Sequence, residues 1–157
     1  MNMTMRLVLA ERLKRKHPAL YSIPMDISVK EAAAIMTEKG IGAVLVKDTN
    51  DDDGNFVGIC TERDVLRACA QNDNLNVVKV SEVMCRDMVV ADINEAVQFV
   101  VRKMYQKHIR HIPLAENGKI IALISIRDLM YCVDMEREIT MSHLNDMSGA
   151  TRFNRIF

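Results

Sequence analysis

The sequence predicts a mixed α+β fold in which two similar units pack sheet to sheet around a pseudo-twofold axis. The first observation is that the element order strand, helix, strand, strand, helix occurs twice along the chain. The second is an internal repeat, in which an offset of 68 residues pairs Val29 with Val97 and, after one loop, an offset of 64 pairs Asp64 with Asp128. A unit of about 55 residues is too small to bury a good core alone, so we expect the two units to share one.

Composition narrows the class of protein. The 157 residues are 49% hydrophobic and 27% charged, as in ordinary globular proteins, and 21 basic residues balance 21 acidic ones. Zero net charge argues against a protein that binds the nucleic-acid backbone, and no apolar run approaches the roughly 20 residues that a bilayer requires. The apolar stretch near residue 7 is too short for an export signal, so we expect a cytoplasmic protein. The four cysteines lack C-x-x-C spacing and are interpreted as free thiols.

The first unit, residues 18–76, follows an N-terminal helical arm, residues 1–17. The arm contains a short basic helix over 5–16, which we expect to be solvated or to contact another subunit; a membrane-surface helix is the alternative. In the unit, Ser28 and Glu31 form a capping-box pattern at the start of a helix, and Gly40 is expected to end it. Extended segments are predicted near 20–23, 41–46 and 56–60, and a helix from Thr61.

The second unit, residues 77–137, repeats this order. The expected elements are an extended segment at 89–90, a helix from Ala96 to Met104, strands over 109–114 and 119–124, and a helix from Ser125. Asn117-Gly118 is a strong hairpin-turn signal between the two strands. In the C-terminal tail, residues 138–157, the segment 138–145 either extends the last helix or forms a short new one.

The same short pattern follows a strand in both units, as Thr61-x-x-Asp64 and Ser125-x-x-Asp128. A helix N-cap alone explains this pattern. A ligand explains it as well, because a helix N-terminus attracts anions such as phosphate and a carboxylate one turn in accepts hydrogen bonds from the vicinal hydroxyls of a ribose. The repetition favours a ligand, since two equivalent sites then meet across the pseudo-twofold axis.

Other chemistry is weakly indicated. His108 and His111 are three residues apart but lack further zinc ligands. The loop Asp48–Gly54 resembles the start of an EF-hand, but its glycine is one place late and Ile59 stands where Glu is needed, so we interpret it as a solvated turn. No metal site and no catalytic constellation is predicted.

Several segments resemble the CBS domains first named for cystathionine β-synthase. The similar segments are Glu38–Val46, Gly58–Asp64, Ser81–Met84, Ile109–Leu114 and Leu123–Asp128. One such motif is weak, whereas two in tandem over residues 18–135 are a specific signal. The chain resembles a stand-alone CBS pair, or Bateman module, of the small bacterial signalling type.

The resemblance implies adenosine nucleotides bound in two clefts between the units. It places the ribose hydroxyls on Asp64 and Asp128, with Thr61 and Ser125 at ribose or phosphate. Phosphate contacts are implied for Arg110 and His111 in the central strand of the second unit. Arg63 and Arg127 are expected either to contact phosphate or to form surface ion pairs. The adenine is implied to lie against Ser22, Ile23, Gly42, Ala43, Val89 and Val90. The first unit has Gly42 and Ala43 where the second has Arg110 and His111, so the clefts are expected to differ in phosphate affinity. Ala122 stands where the family usually has glycine.

We therefore expect a non-enzymatic sensor that binds AMP first, then ADP, ATP or NAD. It is expected to form a homodimer and to act on a separate target protein, without nucleic-acid or membrane partners. The alternatives are a ligand-free dimerisation module and an S-adenosylmethionine binder.

Overall fold

A computed structural model describes the backbone of residues 3–15, 20–51 and 55–153, with side chains through residue 142. The ends of the predicted arm and tail, and Asp52, Asp53 and Gly54 of the acidic loop, lie outside the described residues. The elements, in chain order, are α1 (Met5–Lys14), β1 (Ser22–Pro24), α2 (Val29–Lys39), β2 (Ala43–Lys47), β3 (Phe56–Thr61), α3 (Glu62–Gln71), α4 (Val80–Val83), β4 (Ala91–Asp92), α5 (Val97–Lys107), β5 (His111–Glu116), β6 (Lys119–Ser125) and α6 (Ile126–Phe153).

Each unit has one three-stranded sheet with the same topology. In the first, β1 lies parallel to β2 and β2 antiparallel to β3, with Val44 opposite Cys60. In the second, β4 lies parallel to β5 and β5 antiparallel to β6, with Ile112 opposite Ile124. The opposed pairs are related by the repeat offsets, so the predicted mixed fold of two similar units is confirmed.

The two sheets meet face to face. Ala43 and Leu45 point from β2 into a buried cluster that also holds Leu123 of the second sheet. Their neighbours Val44 and Val46 point the other way, into the core under the helices of the first unit. Because successive side chains of a strand point to opposite faces, a strand buried on both faces is continuously apolar, which is the pattern seen in β2.

Local signals explain the element ends. The Ser28 and Glu31 capping box forms, and α2 ends at Gly40 in the left-handed conformation with φ 63°. The hairpin between β5 and β6 has left-handed φ values at Asn117 and Gly118, as a type I′ turn requires. α6 runs without a break past residue 138, so the tail segment extends the last helix, and the expected boundary at 137 lies inside it.

A helical segment before each sheet packs on the other unit: α1 packs on the second unit, and α4, which lies inside the expected bounds 77–137, packs on the first. Val29 N–H donates to the Val78 carbonyl, and its repeat partner Val97 N–H donates to the Met3 carbonyl, at 2.8 and 2.9 Å. The side chain of Met5, in α1, is fully buried in the core of the second unit. α1 is thus docked within the chain through Met5 and Val8, whereas Leu7 and Leu13 of its predicted apolar face are 46% and 50% exposed. Contact of that face with solvent or with another subunit stays a prediction.

Candidate functional site

Two clefts open between the units, with volumes of about 310 and 330 Å³. The first contains Asp64 at the start of α3 and is closed on its other side by residues of the second unit, including Pro113 of β5. The second contains Asp128 at the start of α6 and is closed by residues of the first unit, including Ala43 of β2. We name them the Asp64 cleft and the Asp128 cleft. Both volumes lie at the lower end of the range for small-molecule sites.

In the Asp64 cleft, the carboxylate caps its own helix. Asp64 Oδ2 accepts hydrogen bonds from Thr61 N–H at 2.9 Å and from Thr61 Oγ1 at 2.6 Å. Asp64 Oδ1 accepts from Arg67 Nη1 at 3.0 Å, and the Arg67 side chain is 60% exposed. The N-cap interpretation is therefore realised, and it leaves Oδ1 in contact with a surface arginine whose ion pair is weak in water.

In the Asp128 cleft, the same cap forms, but the carboxylate has further partners. Asp128 Oδ2 accepts from Ser125 N–H at 2.9 Å and Ser125 Oγ at 2.6 Å. Two arginines of the N-terminal segment also reach it: Arg12 Nη1 lies 2.6 Å from Oδ2 and Arg15 Nη2 lies 3.0 Å from Oδ1. The Arg15 guanidinium also stacks 4.2 Å from the centre of the Tyr131 ring.

The pKa of Asp128 is lowered by this arrangement. Burial raises it, but the hydrogen bonds from Ser125 and the charges of Arg12 and Arg15 together outweigh burial. The carboxylate is thus ionised at neutral pH, and both of its oxygens accept hydrogen bonds.

His111 and Arg110 line both clefts, and Gly42 lies between them. A Cβ on Gly42 would approach Glu62 Oε2 to 3.0 Å and His111 Cε1 to 3.2 Å, so glycine keeps this junction open. The pKa of His111 is lowered, first by burial and then by the charge of Arg110, which favours the neutral imidazole at pH 7. Arg110 itself lies 3.9 Å from Glu62 in an exposed, loose ion pair.

The first amide of each helix is already engaged. Glu62 N–H donates to the Gly42 carbonyl at 3.1 Å, and Ile126 N–H donates to the Arg110 carbonyl at 2.8 Å. These bonds join each helix start to the residue that precedes the central strand of the same unit. An anion in either cleft must therefore be held by side chains and by later amides of the helix, rather than by the first amide.

Most of the residues singled out from the sequence line a cleft. The Asp64 cleft has Thr61, Arg63, Asp64 and Val89, and the Asp128 cleft has Ala43, Ser125, Arg127 and Asp128, while Gly42, Arg110 and His111 line both. Arg110 and His111 thus line both clefts, and the expected difference in phosphate affinity between the clefts stays a prediction.

Three of the residues expected at the adenine do not line either cleft. Ser22 and Ile23 pair with Leu45 and Val46, which lie beyond the cleft residue Ala43 along β2; Ser22 is exposed and Ile23 is buried in the core. The register of the parallel pair therefore moves them away from the cleft. Val90 is half-buried, and its carbonyl accepts from Lys103.

The structure adds cleft residues that sequence reasoning missed. Leu20 and Tyr21 take the place expected for Ser22 and Ile23 in the Asp128 cleft. Arg67 was detectable, because it lies three residues after Asp64 on one helix face. No local signal joins Arg12 or Arg15 to Asp128, more than a hundred residues away.

His108 shows backbone strain at the edge of the Asp64 cleft. It has φ 53° at the position equivalent to Gly40, a left-handed conformation that costs a side-chain-bearing residue about 1–2 kcal/mol. Arg63, expected at phosphate or in a surface ion pair, instead donates from Nη1 to the His108 carbonyl at 2.9 Å and thereby joins the two units.

Other chemistry is absent from the described part of the chain. Within it, no group of three or more His, Cys, Asp and Glu side chains is placed to hold a metal ion. None of its helices has the length and hydrophobicity needed to cross a membrane. All four cysteines are free, and burial, followed by the charge of Asp64, raises the pKa of Cys60 to about 12.

Comparison with known proteins agrees with this architecture. A putative signal-transduction protein with CBS domains from Burkholderia ambifaria is 31% identical, with a TM-score of 0.74 over 83% of this chain and 93% of that one. A CBS domain-containing protein of Arabidopsis thaliana is 33% identical over 112 residues, which are 70% of this chain and 20% of that protein. The chain thus spans about a fifth of that curated relative.

More distant structures share the fold and contain ligands. A CBS domain protein from Pyrobaculum aerophilum, 22% identical with a TM-score of 0.67 over 80% of this chain and 89% of that one, was solved complexed with AMP. The CBS domain pair of the protein MJ0100, 23% identical with a TM-score of 0.69 over 83% of this chain and 99% of that one, was solved with 5-methylthioadenosine and S-adenosyl-L-methionine.

The family model of the CBS domain matches this sequence twice, over residues 13–71 and 80–134. The two matches cover the two sheets and both cleft carboxylates. The chain belongs to the CBS domain family and contains two CBS domains in tandem.

Proposed function

We propose that this protein is a non-catalytic sensor that binds an adenosine nucleotide, AMP first and then ADP, ATP or NAD, in the Asp64 cleft. The observation that carries the proposal is the state of the Asp64 carboxylate. It is fixed by its own helix cap and has one oxygen whose contact is with an exposed arginine. A signal to a separate target protein would follow from the change in packing between the two CBS units.

The carboxylate fits a ribose. Two vicinal hydroxyls can donate to one carboxylate, and Oδ1 offers the more accessible lone pairs because Oδ2 already accepts from Thr61 twice. Displacing Arg67 from Oδ1 costs little, since exposed ion pairs are worth about 0–1 kcal/mol. The displaced guanidinium stays in the cleft, where it is able to bind phosphate.

The rest of the Asp64 cleft fits a base and phosphates. Its apolar wall includes Ile59, Met88 and Val89, suited to an adenine ring. Its cationic side chains include Lys107 and Arg110 from the second unit. A nucleotide in this cleft therefore contacts both units at once, and it can shift their packing only if it binds one arrangement more tightly than the other.

Calorimetric titration tests the ligand class. We expect AMP to bind the full chain, and 2′-deoxy-AMP to bind at least about tenfold more weakly, because the diol loses one donor to a charged acceptor. Asp64→Asn should weaken AMP to a similar degree. Glu38→Gln, which removes a carboxylate from an exposed pair with Lys39, is the matched control.

Equal affinity for AMP and its 2′-deoxy form would contradict the role of Asp64. If AMP, ATP and NAD fail to bind and S-adenosylmethionine binds, the ligand class is wrong although the cleft is right. If no adenosine compound binds, the alternative of a ligand-free interaction module stands.

A homodimer is part of the same proposal. Large apolar side chains are exposed on the helices, with Leu66 on α3 and its repeat partner Met130 on α6, as well as Phe99 and Tyr105 on α5. Such groups favour association when they form one patch. Sedimentation equilibrium of the protein and of Leu66→Glu tests this: we expect a dimer that the substitution dissociates, and a monomeric wild type would contradict it.

A further inference from the structure

α1 is fixed to the second unit by its first turn. Met5 N–H donates to the Glu95 carbonyl at 3.0 Å and Arg6 N–H to the Ile93 carbonyl at 2.8 Å. The side chains of Met5 and Val8 are fully buried. The equivalent segment before the second sheet forms only the four-residue α4, whereas α1 continues for ten residues and extends toward the Asp128 cleft.

The end of that extension places two cations on Asp128. The side chains of Arg12, Arg15 and Asp128 are 13%, 30% and 8% exposed, so this ion triad is largely removed from water. The ion pair of Asp64 with Arg67 is different, because the Arg67 side chain is exposed and water and salt screen the attraction between the two charges. The contacts are also non-local, so they depend on α1 being docked.

The triad fills the acceptor positions that a ribose needs. Asp128 Oδ2 already accepts from Ser125 N–H, Ser125 Oγ and Arg12, and Oδ1 accepts from Arg15. A vicinal diol therefore has to displace at least one arginine from a buried carboxylate. In the Asp64 cleft, the corresponding step displaces one surface side chain.

One donor of Arg15 has no partner among the described residues while the side chain contacts Asp128. Arg15 Nε is buried and has no hydrogen-bond acceptor within the described part of the chain. A buried donor without an acceptor is costly, so this contact gives up part of its stabilisation. A ligand phosphate near the rim would supply the missing acceptor once Arg15 turned away from Asp128.

We infer that Arg12 and Arg15 are specificity-determining residues that act as an internal occupant of the Asp128 cleft. With α1 docked, an adenosine nucleotide binds the Asp64 cleft and enters the Asp128 cleft only when the last turn of α1 releases the carboxylate. The inference rests on the proposed function and adds a rule for which cleft is filled. It also makes α1 the element that moves when the second ligand binds.

The test is the stoichiometry of AMP binding by calorimetry on the full chain. The wild type is expected to bind one equivalent, whose affinity Asp64→Asn lowers about tenfold. The double variant R12A/R15A is expected to bind two, with the affinity of the Asp128 cleft raised roughly tenfold or more because no charged donor competes there. Asp128→Asn in that background should abolish the second equivalent.

A matched control is available on the same helix. Arg6 pairs with Glu116, and Lys14 pairs with Glu11, in exposed contacts outside both clefts. R6A/K14A removes the same charge from α1 and should bind one equivalent, as the wild type does. If R12A/R15A loses its circular-dichroism signal, Arg15→Ala alone, at the rim, should still raise the second affinity severalfold.

Hydrogen exchange gives a second readout. At AMP concentrations that begin to fill the Asp128 cleft of the wild type, amides near the end of α1 should exchange faster, while those of its first turn stay protected. Two equal wild-type sites, or a single site in R12A/R15A, would overturn the inference and leave the proposed function intact. Absence of AMP binding to every variant would overturn both.

Discussion

The two clefts contain the same motif in different states. In both, a Thr or Ser donates its N–H and its hydroxyl to the aspartate three residues later, with nearly equal distances. Beyond this cap, the Asp64 carboxylate forms an ion pair with one exposed arginine, whereas the Asp128 carboxylate forms ion pairs with two largely buried arginines. Duplication therefore preserved the cap, and the surroundings decide whether the carboxylate is accessible to a ligand.

The difference originates in the segments that precede the units. After α4, the backbone of Met84 and Cys85 crosses β3, and Ile59 and Cys85 exchange two hydrogen bonds at 2.9 Å. In the other half, α1 simply continues as a helix. Gly58 permits the close crossing, since a Cβ there would lie 2.9 Å from the Cys85 carbonyl oxygen.

The equivalent residue Ala122 is fully buried beside the first turn of α1. Alanine is thus tolerated at position 122 because, among the described residues, no backbone segment crosses β6 as Met84 and Cys85 cross β3.

The largest contrast is expected in stability. Asp128→Ala should lower the free energy of unfolding by about 3–5 kcal/mol, because it leaves two arginines of a buried ion group without their carboxylate. Asp64→Ala should cost about 1 kcal/mol, the usual value of a lost helix cap. Urea unfolding of both variants measures the contrast. Since both variants lose the same cap, equal losses would mean that Arg12 and Arg15 contribute nothing.

The next contrast concerns the backbone crossing. Gly58→Ala should destabilise by about 1–3 kcal/mol, because its methyl group would overlap Met84 and a backbone oxygen. The reverse change, Ala122→Gly, should cost about 1 kcal/mol through added chain flexibility and a lost buried methyl group. Thermal unfolding ranks the two, and the opposite order would show that the crossing is easily displaced.

The smallest effect is a pH dependence at the junction of the clefts. Burial lowers the pKa of His111, so the free protein has neutral imidazole at pH 7, and a bound phosphate would favour the protonated form. AMP affinity should therefore rise severalfold as pH falls from 7 toward 5.5, with a proton taken up on binding. His111→Gln should flatten the profile in calorimetry; an unchanged slope would assign the proton to another group.

The pH dependence of stability is opposite to that of AMP affinity. Because the folded pKa of His111 is below that of the unfolded chain, the unfolded state takes up its proton first as pH falls below about 6.5. In the absence of ligand, the contribution of His111 to stability is thus present at neutral pH and lost on acidification.

The fold was largely accessible from the sequence because its signals are local. The capping box at Ser28, the left-handed glycine at 40 and the Asn117-Gly118 turn each act within a few residues. Strand starts were less accurate: the expected extension at Val89 begins at Ala91, since an apolar run does not say which residue meets the neighbouring strand.

The site divides in the same way. Asp64, Thr61 and their repeat partners follow from a motif, and Arg67 follows from helical spacing. The pairing of Arg12 with Asp128 depends on where a ten-residue helix docks on a unit that is distant from it in sequence. Such a contact depends on the tertiary structure, so no local sequence pattern predicts it.

The exchange of segments between the units has a consequence for how the chain is made. The core of the first unit includes Val80, which is synthesised only after the whole sheet of that unit. The core of the second unit includes Met5, which is synthesised about ninety residues before the rest of that core. The earliest-synthesised helix therefore waits, with its apolar side exposed, for its docking surface. Contacts so distant in sequence slow folding and prolong exposure to aggregation. We expect completion of the second core to be the slow step in biogenesis.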